Sequence, residues 1–152
     1  MYLGTIKGFV GGYEFLNNFY EVPFTYKGLT YHNSEAAYQA QKCINDGDKI
    51  KFTGVQGKTA KFIGQKLAVR EDWDKIKIAI MYDVCRAKFK QNKWLMKQLI
   101  KTKGLELINE NTCNETFWGT CKGIGENNLG KLLMRIRDEY IEKEQATGNI
   151  II

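Results

Sequence analysis

The feature of the sequence that most limits its fold is a long stretch of helical periodicity at residues 73–90. Its apolar stripe consists of Ile76, Ala79, Ile80, Val84 and Ala87, widened by Met81 and Cys85. A helix with so wide an apolar stripe packs that stripe against a core. Asp72, directly before the stretch, is a residue type that favours helix N-caps. The pattern therefore predicts a buried central helix.

Shorter patterns predict the remaining elements. Strands are expected at residues 2–9 and 105–108, and a hairpin at residues 22–31 turns at Lys27 and Gly28. Further helices are expected at residues 34–43, 58–70, 94–102 and 128–145. Their predicted inward-facing residues are Ala60, Ile63, Leu67, Leu95, Leu99, Ile100, Leu129, Leu132, Leu133, Ile136 and Tyr140.

Composition favours one intracellular domain. With 152 residues, 43% of them hydrophobic, the chain is long enough to bury one good core, and it contains no linker between domains. We therefore expect a single domain at residues 1–152. No apolar run approaches the length of a membrane span, and the first residues lack the pattern of an export signal. The expectation is a soluble, cytoplasmic protein with no membrane partner.

The cysteine and histidine content excludes several enzyme classes. The cysteines Cys43, Cys85, Cys113 and Cys121 lack zinc-site spacing, and the single histidine, His32, cannot complete such a site. We expect reduced, mostly packed thiols and no metal. The motifs G-x-S-x-G and G-x-x-x-x-G-K-[ST] are absent. Catalysis would therefore depend on carboxylates, lysines or amides.

An excess of positive charge favours anionic partners. The formal net charge is +6, which suits polyanions or phosphorylated substrates. Part of this charge forms a stripe on a predicted helix, preceded by a second basic group. The stripe is Lys93, Lys97 and Lys101, and the second group is Arg86, Lys88 and Lys90. A solvated helix face is the alternative interpretation.

The stretch at residues 31–43, YHNSEAAYQAQKC, is the strongest candidate for chemistry. Ser34 is expected to cap its helix. At about 100° per residue, Glu35, Gln39 and Lys42 fall on one stripe. A carboxylate, an amide and an amine would thus share one face, among small and apolar neighbours. A surface stripe with a weak ionic contact is the alternative.

Two loops are further candidates. Residues 15–19, FLNNF, have two interpretations. Their phenylalanines either anchor the core or form an aromatic wall beside asparagine amides that would hydrogen-bond a heterocyclic base. Residues 109–125 form a long polar loop that contains Glu110, Glu115 and Trp118, and such loops often line sites. Gly125 and Asn127 precede the last helix, where free backbone N–H groups favour an anion, although both residue types also cap helices without a ligand.

Six motifs in the same order resemble the NADAR family, which includes riboflavin-intermediate N-glycosidases. They are FLNNF, SEAAYQAQK, AKFIG, DW, FWG and GENNLGKLLMRIR, within residues 9–140. The resemblance implies a compact, mostly helical α+β domain with a few short strands. It also implies hydrolysis of N-glycosidic bonds in ribosyl compounds, without a metal or cofactor.

The resemblance implies site residues as well. The family pattern S-E-x-x-x-Q-x-x-K falls on Ser34, Glu35, Gln39 and Lys42. The implied substrate-binding residues are Phe15, Asn18, Phe19, Gln39, Trp73, Met81, Glu115, Trp118, Gly119, Gly125 and Asn127. Asn17 stands where the family usually has serine, and Glu115 stands where the family has aspartate.

Family substrates of both known kinds join ribose C1 to an exocyclic amine, in riboflavin precursors or in guanine that carries ADP-ribose. Such a glycosylamine can open to an imine, so a neutral Lys42 would displace the base by transimination while Glu35 moves protons. Burial beneath aromatic side chains should lower the pKa of Lys42 against the pull of Glu35. The rival route uses Glu35 and Glu115 with direct attack by water. We favour Lys42 because it shares a helical face with Glu35.

The sequence is consistent with three functional hypotheses. The preferred one is removal of ADP-ribose from guanine in nucleic acid, supported by the family and the basic charge. The second is hydrolysis of phosphorylated riboflavin intermediates, and the third is a non-catalytic reader of ADP-ribose or NAD. The presence of both Glu35 and Lys42 disfavours the reader. The expected partner is ADP-ribosylated nucleic acid or a phosphorylated ribosylamino small molecule, and the sequence predicts no oligomeric state.

Overall fold

The computed structural model describes residues 1–148, which form a mostly helical α+β fold with a few short strands, as predicted. The strands are β1 (Gly4–Lys7), β2 (Phe24–Tyr26), β3 (Leu29–Tyr31) and β4 (Leu105–Ile108). The α-helices are α1 (Ser34–Ala40), α2 (Gly57–Gln65), α3 (Trp73–Gln91), α4 (Lys93–Ile100) and α5 (Asn128–Ala146). Two 3₁₀ helices lie at Gly11–Leu16 and Asp46–Phe52.

The chain forms two compact units. The first unit combines residues 1–17 with residues 93–152, and the second unit is residues 18–92. The second unit is therefore continuous in sequence, whereas the first is made of two segments. A single domain at residues 1–152 stays a prediction, and its last four residues, 149–152, lie outside the described part of the chain.

The first unit contains a two-stranded parallel sheet. β1 pairs with β4, and Gly4 lies opposite Leu105 at the start of the register. α5 packs on β4, and α4 packs on α5. Gly130 allows α5 to approach the sheet closely, because a Cβ at this position would overlap the carbonyl oxygen of Leu107. A short sheet and two helices thus form the core of this unit.

The inward faces of α4 and α5 largely match the prediction. The predicted residues found buried are Leu95, Leu99, Ile100, Leu129, Leu132, Leu133 and Ile136. Tyr140 is only partly buried, and Ile141 is buried beside it. Arg137 is also buried, and its Nη1 donates to the carbonyl oxygens of Thr102 and Leu105 at 2.9 and 2.7 Å. The guanidinium therefore satisfies backbone acceptors that follow the end of α4.

The second unit packs the hairpin and three helices around one core. β2 and β3 pair antiparallel through a turn at Lys27 and Gly28, which confirms the predicted hairpin. α1 packs against α2 and α3, and α3 also packs on β2. The core residues are Phe24, Tyr26, Tyr31, Ala36, Ala37, Ala40, Cys43, Phe52, Ala60 and Val84. All residues of α1 are buried, so the candidate stretch is an interior helix.

α3 buries a stripe that differs in part from the predicted one. Its buried residues are Trp73, Met81, Val84, Cys85, Lys88 and Phe89. Ala79 is exposed, so the prediction was wrong at that position. Lys88, predicted as part of a basic surface group, is 1% exposed, and its Nζ lies 5.7 and 5.1 Å from the ring centroids of Tyr20 and Phe89. Desolvation lowers the pKa of Lys88 to about 8.

The connection between α2 and α3 begins earlier than predicted. α2 ends at Gln65 rather than at residue 70. Asp72 precedes α3 as expected, but its side chain does not cap the helix. Its carboxylate instead accepts from Nε and Nη2 of Arg70 at 2.6 and 3.0 Å. This bidentate pair fixes the chain just before α3 begins.

Candidate functional site

The first turn of α1 is fixed by side chains from outside the helix. Asn33, rather than the predicted Ser34, is the N-cap, and its Oδ1 accepts the backbone N–H of Ala36 at 2.7 Å. The Ser34 hydroxyl instead donates to Oδ1 of Asn18 at 2.8 Å. The carbonyl oxygen of Asn18 accepts the backbone N–H of Glu35 at 3.0 Å. Asn18 therefore positions the turn that carries Glu35.

Asn18 and Met81 are both buried in the packing around α1. The Asn18 side chain donates from Nδ2 to Sδ of Met81 at 3.5 Å, and its Oδ1 accepts from the thiol of Cys85 at 3.7 Å. Because α3 carries Met81 and Cys85, these contacts link α3 to the segment that precedes the hairpin. The substrate contacts predicted for Asn18 and Met81 stay predictions.

Glu35 and Gln39 form a buried pair one turn apart on α1. Nε2 of Gln39 donates to Oε1 of Glu35 at 3.0 Å. A carboxylate only accepts hydrogen bonds, so the amide must turn its NH₂ group toward Glu35. The amide oxygen then faces Gly64 on α2, and no group in residues 1–148 donates to it. A buried hydrogen-bond acceptor without a partner destabilises the folded state by about 1–3 kcal/mol. Such groups are rare in native proteins, so this one requires an explanation.

Lys42 lies just beyond α1, which ends at Ala40, and not within the helix as predicted. Its backbone N–H still donates to the carbonyl oxygen of Gln39 at 3.1 Å, so the helical turn continues to this residue. The Nζ of Lys42 lies 6.0 Å from the ring centroid of Trp73. Trp73 packs in turn against Tyr38, with centroids 5.0 Å apart. The amine therefore has an aromatic neighbour.

The surroundings of Lys42 lower the pKa of its amine. Burial lowers the pKa of Lys42, and the negative charge of Glu35 opposes that effect. These two directions confirm the predicted ones, and the positive charges of Lys77 and Lys61 lower the pKa further. A neutral amine is a nucleophile, whereas an ammonium group is not. Residues 34–42 thus place an amine of lowered pKa within the electrostatic reach of a carboxylate.

The loop at residues 109–127, in the first unit, is organised by side chains that bond to its backbone. Oε1 of Glu115 accepts the N–H groups of Phe117 and Trp118 at 3.0 and 2.9 Å. Oε2 accepts the N–H of Gly119 at 2.7 Å. Both oxygens of the predicted second carboxylate are therefore engaged in shaping the loop. Its predicted contact with a substrate stays a prediction.

Asn127 connects the loop, β4 and α5. It has a left-handed backbone with a φ of 54°, and its side chain accepts from the N–H of Asn109 at 2.8 Å and donates to the carbonyl of Leu107 at 3.0 Å. The backbone N–H groups of residues 127–129 donate to carbonyl oxygens of residues 117–119. The donors predicted to be free for an anion are thus occupied, so the anion-site prediction is wrong for these three groups.

Two glycines of the same region are required by close backbone approach. A Cβ at Gly119 would overlap the carbonyl oxygen of Asn109. Gly125 has a φ of 145°, and a Cβ there would overlap the carbonyl oxygen of Gly119. These contacts give a structural reason for motif residues that the resemblance assigns to binding. The binding roles of Gly119, Gly125 and Asn127 stay predictions.

The predicted aromatic residues differ in how much ring they expose. In the first unit, Phe15 is buried, whereas Trp118 is partly exposed and meets Phe117 edge-on with centroids 4.9 Å apart. In the second unit, Phe19 is 42% exposed and packs on Gly57, where a Cβ would lie 2.6 Å from Cδ1 of the ring. Phe19 and Trp118 therefore have ring surface on which a base could stack.

Asn33 and Gly64 shape the site, although the sequence predicts no role for Asn33 and only close helix packing for Gly64. Asn33 and Ser34 are equally good N-cap types, so the sequence does not say which one faces the free N–H groups. The AKFIG motif contains Gly64 and marks close packing, but only the structure identifies Gln39 as its neighbour. The periodicity of a helix shows which of its faces is buried, but it does not show which residue of another helix that face contacts.

Within residues 1–148, no group of three or more His, Cys, Asp or Glu side chains is arranged to hold a metal ion. No helix in the described part of the chain is long and apolar enough to cross a bilayer. The four cysteines form no disulfide in the described structure, and Cys43, Cys85 and Cys121 are buried, which confirms that most of them are packed.

Three comparisons relate the chain to known proteins. A family model for the NADAR domain matches residues 9–140. The N-glycosidase YbiA of Escherichia coli strain K12 is 33% identical over 136 residues, which covers 86% of this chain and 84% of that protein. A riboflavin biosynthesis protein of Vibrio vulnificus is 34% identical over 90% of this chain, and the match spans 38% of that protein's length. The NMR structure of E. coli YbiA matches with a TM-score of 0.86 and 28% identity, over 95% of this chain and 89% of that one.

Proposed function

The chain belongs to the NADAR domain family, and from this membership we propose that it is an N-glycosidase that hydrolyses the bond between ribose C1 and an exocyclic amine. Lys42 is the proposed nucleophile and Glu35 the proposed proton shuttle. The main structural support for the proposal is the environment of the Lys42 amine. Its amine lies near Trp73, its pKa is lowered by burial, and the charge of Glu35 acts on it.

The proposed reaction is a transimination followed by hydrolysis. The glycosylamine opens to an imine between C1 and the base nitrogen, and the neutral Lys42 amine adds to C1. Glu35 moves two protons, one after the other, from the attached lysine nitrogen to the base nitrogen, so the bond between C1 and the base nitrogen breaks and a C1 imine to Lys42 remains. Water then adds to that imine, and Glu35 moves the two protons of the water to the lysine nitrogen. The bond between C1 and Lys42 breaks, the neutral amine is regenerated, and the sugar leaves as an aldehyde. The sum is one glycosylamine and one water converted to a free sugar and a free amine.

The alternative mechanism requires a second carboxylate as acid or base. The candidate, Glu115, already accepts three backbone hydrogen bonds with its two oxygens. A proton on either oxygen would break at least one of these bonds, because a protonated oxygen has less capacity to accept. This occupancy supports the lysine route over the two-carboxylate route.

The substrate class that we propose first is a phosphorylated ribosylamino small molecule. The relatives carry the names N-glycosidase and riboflavin biosynthesis protein, which support a small substrate more than a nucleic acid. The net charge of +6 suits a phosphate group. This order reverses the preference drawn from the sequence, which rests on the family resemblance and on the basic charge.

The test offers the purified protein a ribosylaminopyrimidine phosphate and, separately, an ADP-ribosyl-guanine oligonucleotide. Chromatography of the released base reports hydrolysis. We expect release of the pyrimidine amine from the first substrate. Release from neither, together with binding of ADP-ribose, would replace the proposal with the non-catalytic reader.

One observation favours the nucleic-acid substrate as a second candidate. Lys93 and Lys97 on α4, and Lys101 just after it, are all exposed. If this lysine stripe holds a phosphate backbone, changing all three to alanine should weaken oligonucleotide binding and flatten its salt dependence. Hydrolysis of the small substrate should not change. An unaltered salt slope would identify the stripe as a solvated helix face.

A further inference from the structure

Gly64 lies where any larger residue would disturb the buried pair of Glu35 and Gln39. A Cβ built on Gly64 would overlap Oε1 of Gln39 and lie 2.7 Å from its Cδ. Gly64 is itself buried, and the helices that carry the two residues, α2 and α1, pack on each other. The backbone of α2 at this position is therefore the wall against which the Gln39 amide rests.

This wall determines how the amide is held. Nε2 of Gln39 donates to Glu35 at 3.0 Å, while its oxygen receives no hydrogen bond from the described chain. Turning the amide over would present its oxygen to the carboxylate and lose the bond. The amide is thus fixed by one hydrogen bond on the carboxylate side and by contact with backbone on the other.

We propose that Gly64 is a positioning residue for proton transfer, because it leaves the space in which Gln39 holds the Glu35 carboxylate. The proposal rests on the proposed N-glycosidase function, in which Glu35 moves protons. Gly64 touches no substrate in this scheme, and Gln39 acts through Glu35 rather than by binding the substrate. A hydrogen bond donated to a carboxylate favours its ionised form, so Gln39 also influences the pH range in which Glu35 can accept a proton.

A double-mutant cycle between Gly64 and Gln39 tests the proposal. Gly64→Ala should lower kcat by about tenfold or more with little change in KM, and it should move the acidic limb of the pH profile of kcat to higher pH. Gln39→Ala should lower kcat similarly, because it removes the same hydrogen bond. In the Gln39→Ala background, Gly64→Ala should cost less than about twofold, since the displaced group is absent.

Gly54→Ala is the matched control. A Cβ at Gly54 would meet nothing within 4 Å, and the residue has no left-handed backbone. This variant should leave kcat and the pH profile unchanged. Alanine is favoured over glycine inside helices, so Gly64→Ala should fold, and circular dichroism and Tm check this for every variant. If Gly64→Ala does not fold, Gln39→Asn replaces it as the test. The asparagine side chain is too short to reach Glu35, so an unchanged kcat and an unchanged pH profile would overturn the proposal.

Two other results would overturn the inference alone: equal losses from Gly64→Ala in both backgrounds, or a higher KM with kcat and the pH profile unchanged. The second result would make Gln39 a substrate ligand. A wild-type protein that releases no base from either glycosylamine would reject the proposed function, and this inference with it. The two kinds of failure can be distinguished. The two results that overturn only the role of Gly64 require a wild-type enzyme that is active, whereas failure of the proposed function means that the wild-type enzyme is inactive.

Discussion

The region at residues 34–42 and the loop at residues 109–127 both contain polar motif residues, yet they use those residues in opposite ways. In the loop, both oxygens of Glu115 and both ends of the Asn127 amide bond to backbone groups. In the first region, Oε1 of Gln39 receives no donor from residues 1–148, and Lys42 lies where burial disfavours its charge.

This contrast separates residues whose polar groups build the fold from the residues that we propose for chemistry. A carboxylate saturated with backbone N–H groups stabilises a loop and has little capacity left to exchange protons. An amine whose pKa is lowered by burial costs folding free energy, and such groups cluster at functional sites. Membership in a family motif does not distinguish the two cases, whereas the hydrogen-bond partners do.

The largest expected effect follows from Lys42→Arg. Arginine keeps the charge and much of the bulk but forms no imine, so activity should fall by about 10³-fold or more while Tm stays close to that of the wild type. Borohydride added during turnover should reduce the wild-type imine and leave a sugar adduct on Lys42, which mass spectrometry of peptides would locate. An active Lys42→Arg enzyme that forms no adduct would overturn the lysine mechanism.

A somewhat smaller loss is expected for Glu35→Gln. Both formation and breakdown of the imine move protons, so each should slow by about 10²-fold or more. Rapid-quench measurement of adduct formation and decay separates the two steps. Glu71→Gln provides a control, because Glu71 is exposed and lies in the same unit. If only one of the two steps slows, another group moves the proton in the other step.

Glu115→Gln should affect stability rather than chemistry. The new amide would direct an N–H toward at least one of the three backbone donors, so the free energy of unfolding should fall by about 1–3 kcal/mol, as urea denaturation would show. The kcat of the folded enzyme should remain near that of the wild type. Glu126→Gln, at an exposed position of the same loop, should change neither quantity. Lost activity at normal stability would restore the two-carboxylate route and remove the contrast between the regions.

The smallest effect concerns the charge near Lys42. Because the neutral amine reacts, kcat/KM should rise as pH increases through the Lys42 pKa, which burial lowers and Lys61 lowers further. Lys61→Gln should raise that pKa and move the rise to higher pH by about a few tenths of a unit, less so at high salt. Lys58→Gln, an exposed change on the same helix, should leave the profile in place. Equal shifts for both variants would indicate a general charge effect.

Local patterns predicted much of the fold. The hairpin was predictable because Lys27 and Gly28 form its turn, and both have positive φ. The inward faces of α4 and α5 followed from their apolar period. The aromatic neighbour and the lowered pKa of Lys42 agree with the sequence-based expectation. These features depend on residues close to one another in the chain or on simple burial.

The remaining features depend on contacts that a single sequence does not encode locally. Lys88 is polar by type, but its position on α3 places it among aromatic rings. The Gln39 amide depends on Gly64, which another helix supplies. The N–H groups at the start of α5 donate to carbonyl oxygens of an irregular loop. Because the sequence does not show the path of that loop, these N–H groups were expected to be free. Tertiary contacts decide each of these cases.

The pairing of β1 with β4 has a consequence for synthesis on the ribosome. β1 emerges first, but its parallel partner follows only after residues 18–92 have been made. At typical translation rates β1 therefore waits roughly 5–20 s before β4 exists. We expect the continuous second unit to fold during this interval, while the first unit closes last. The short length of β1 then limits the unpaired edge that the nascent chain offers to other chains.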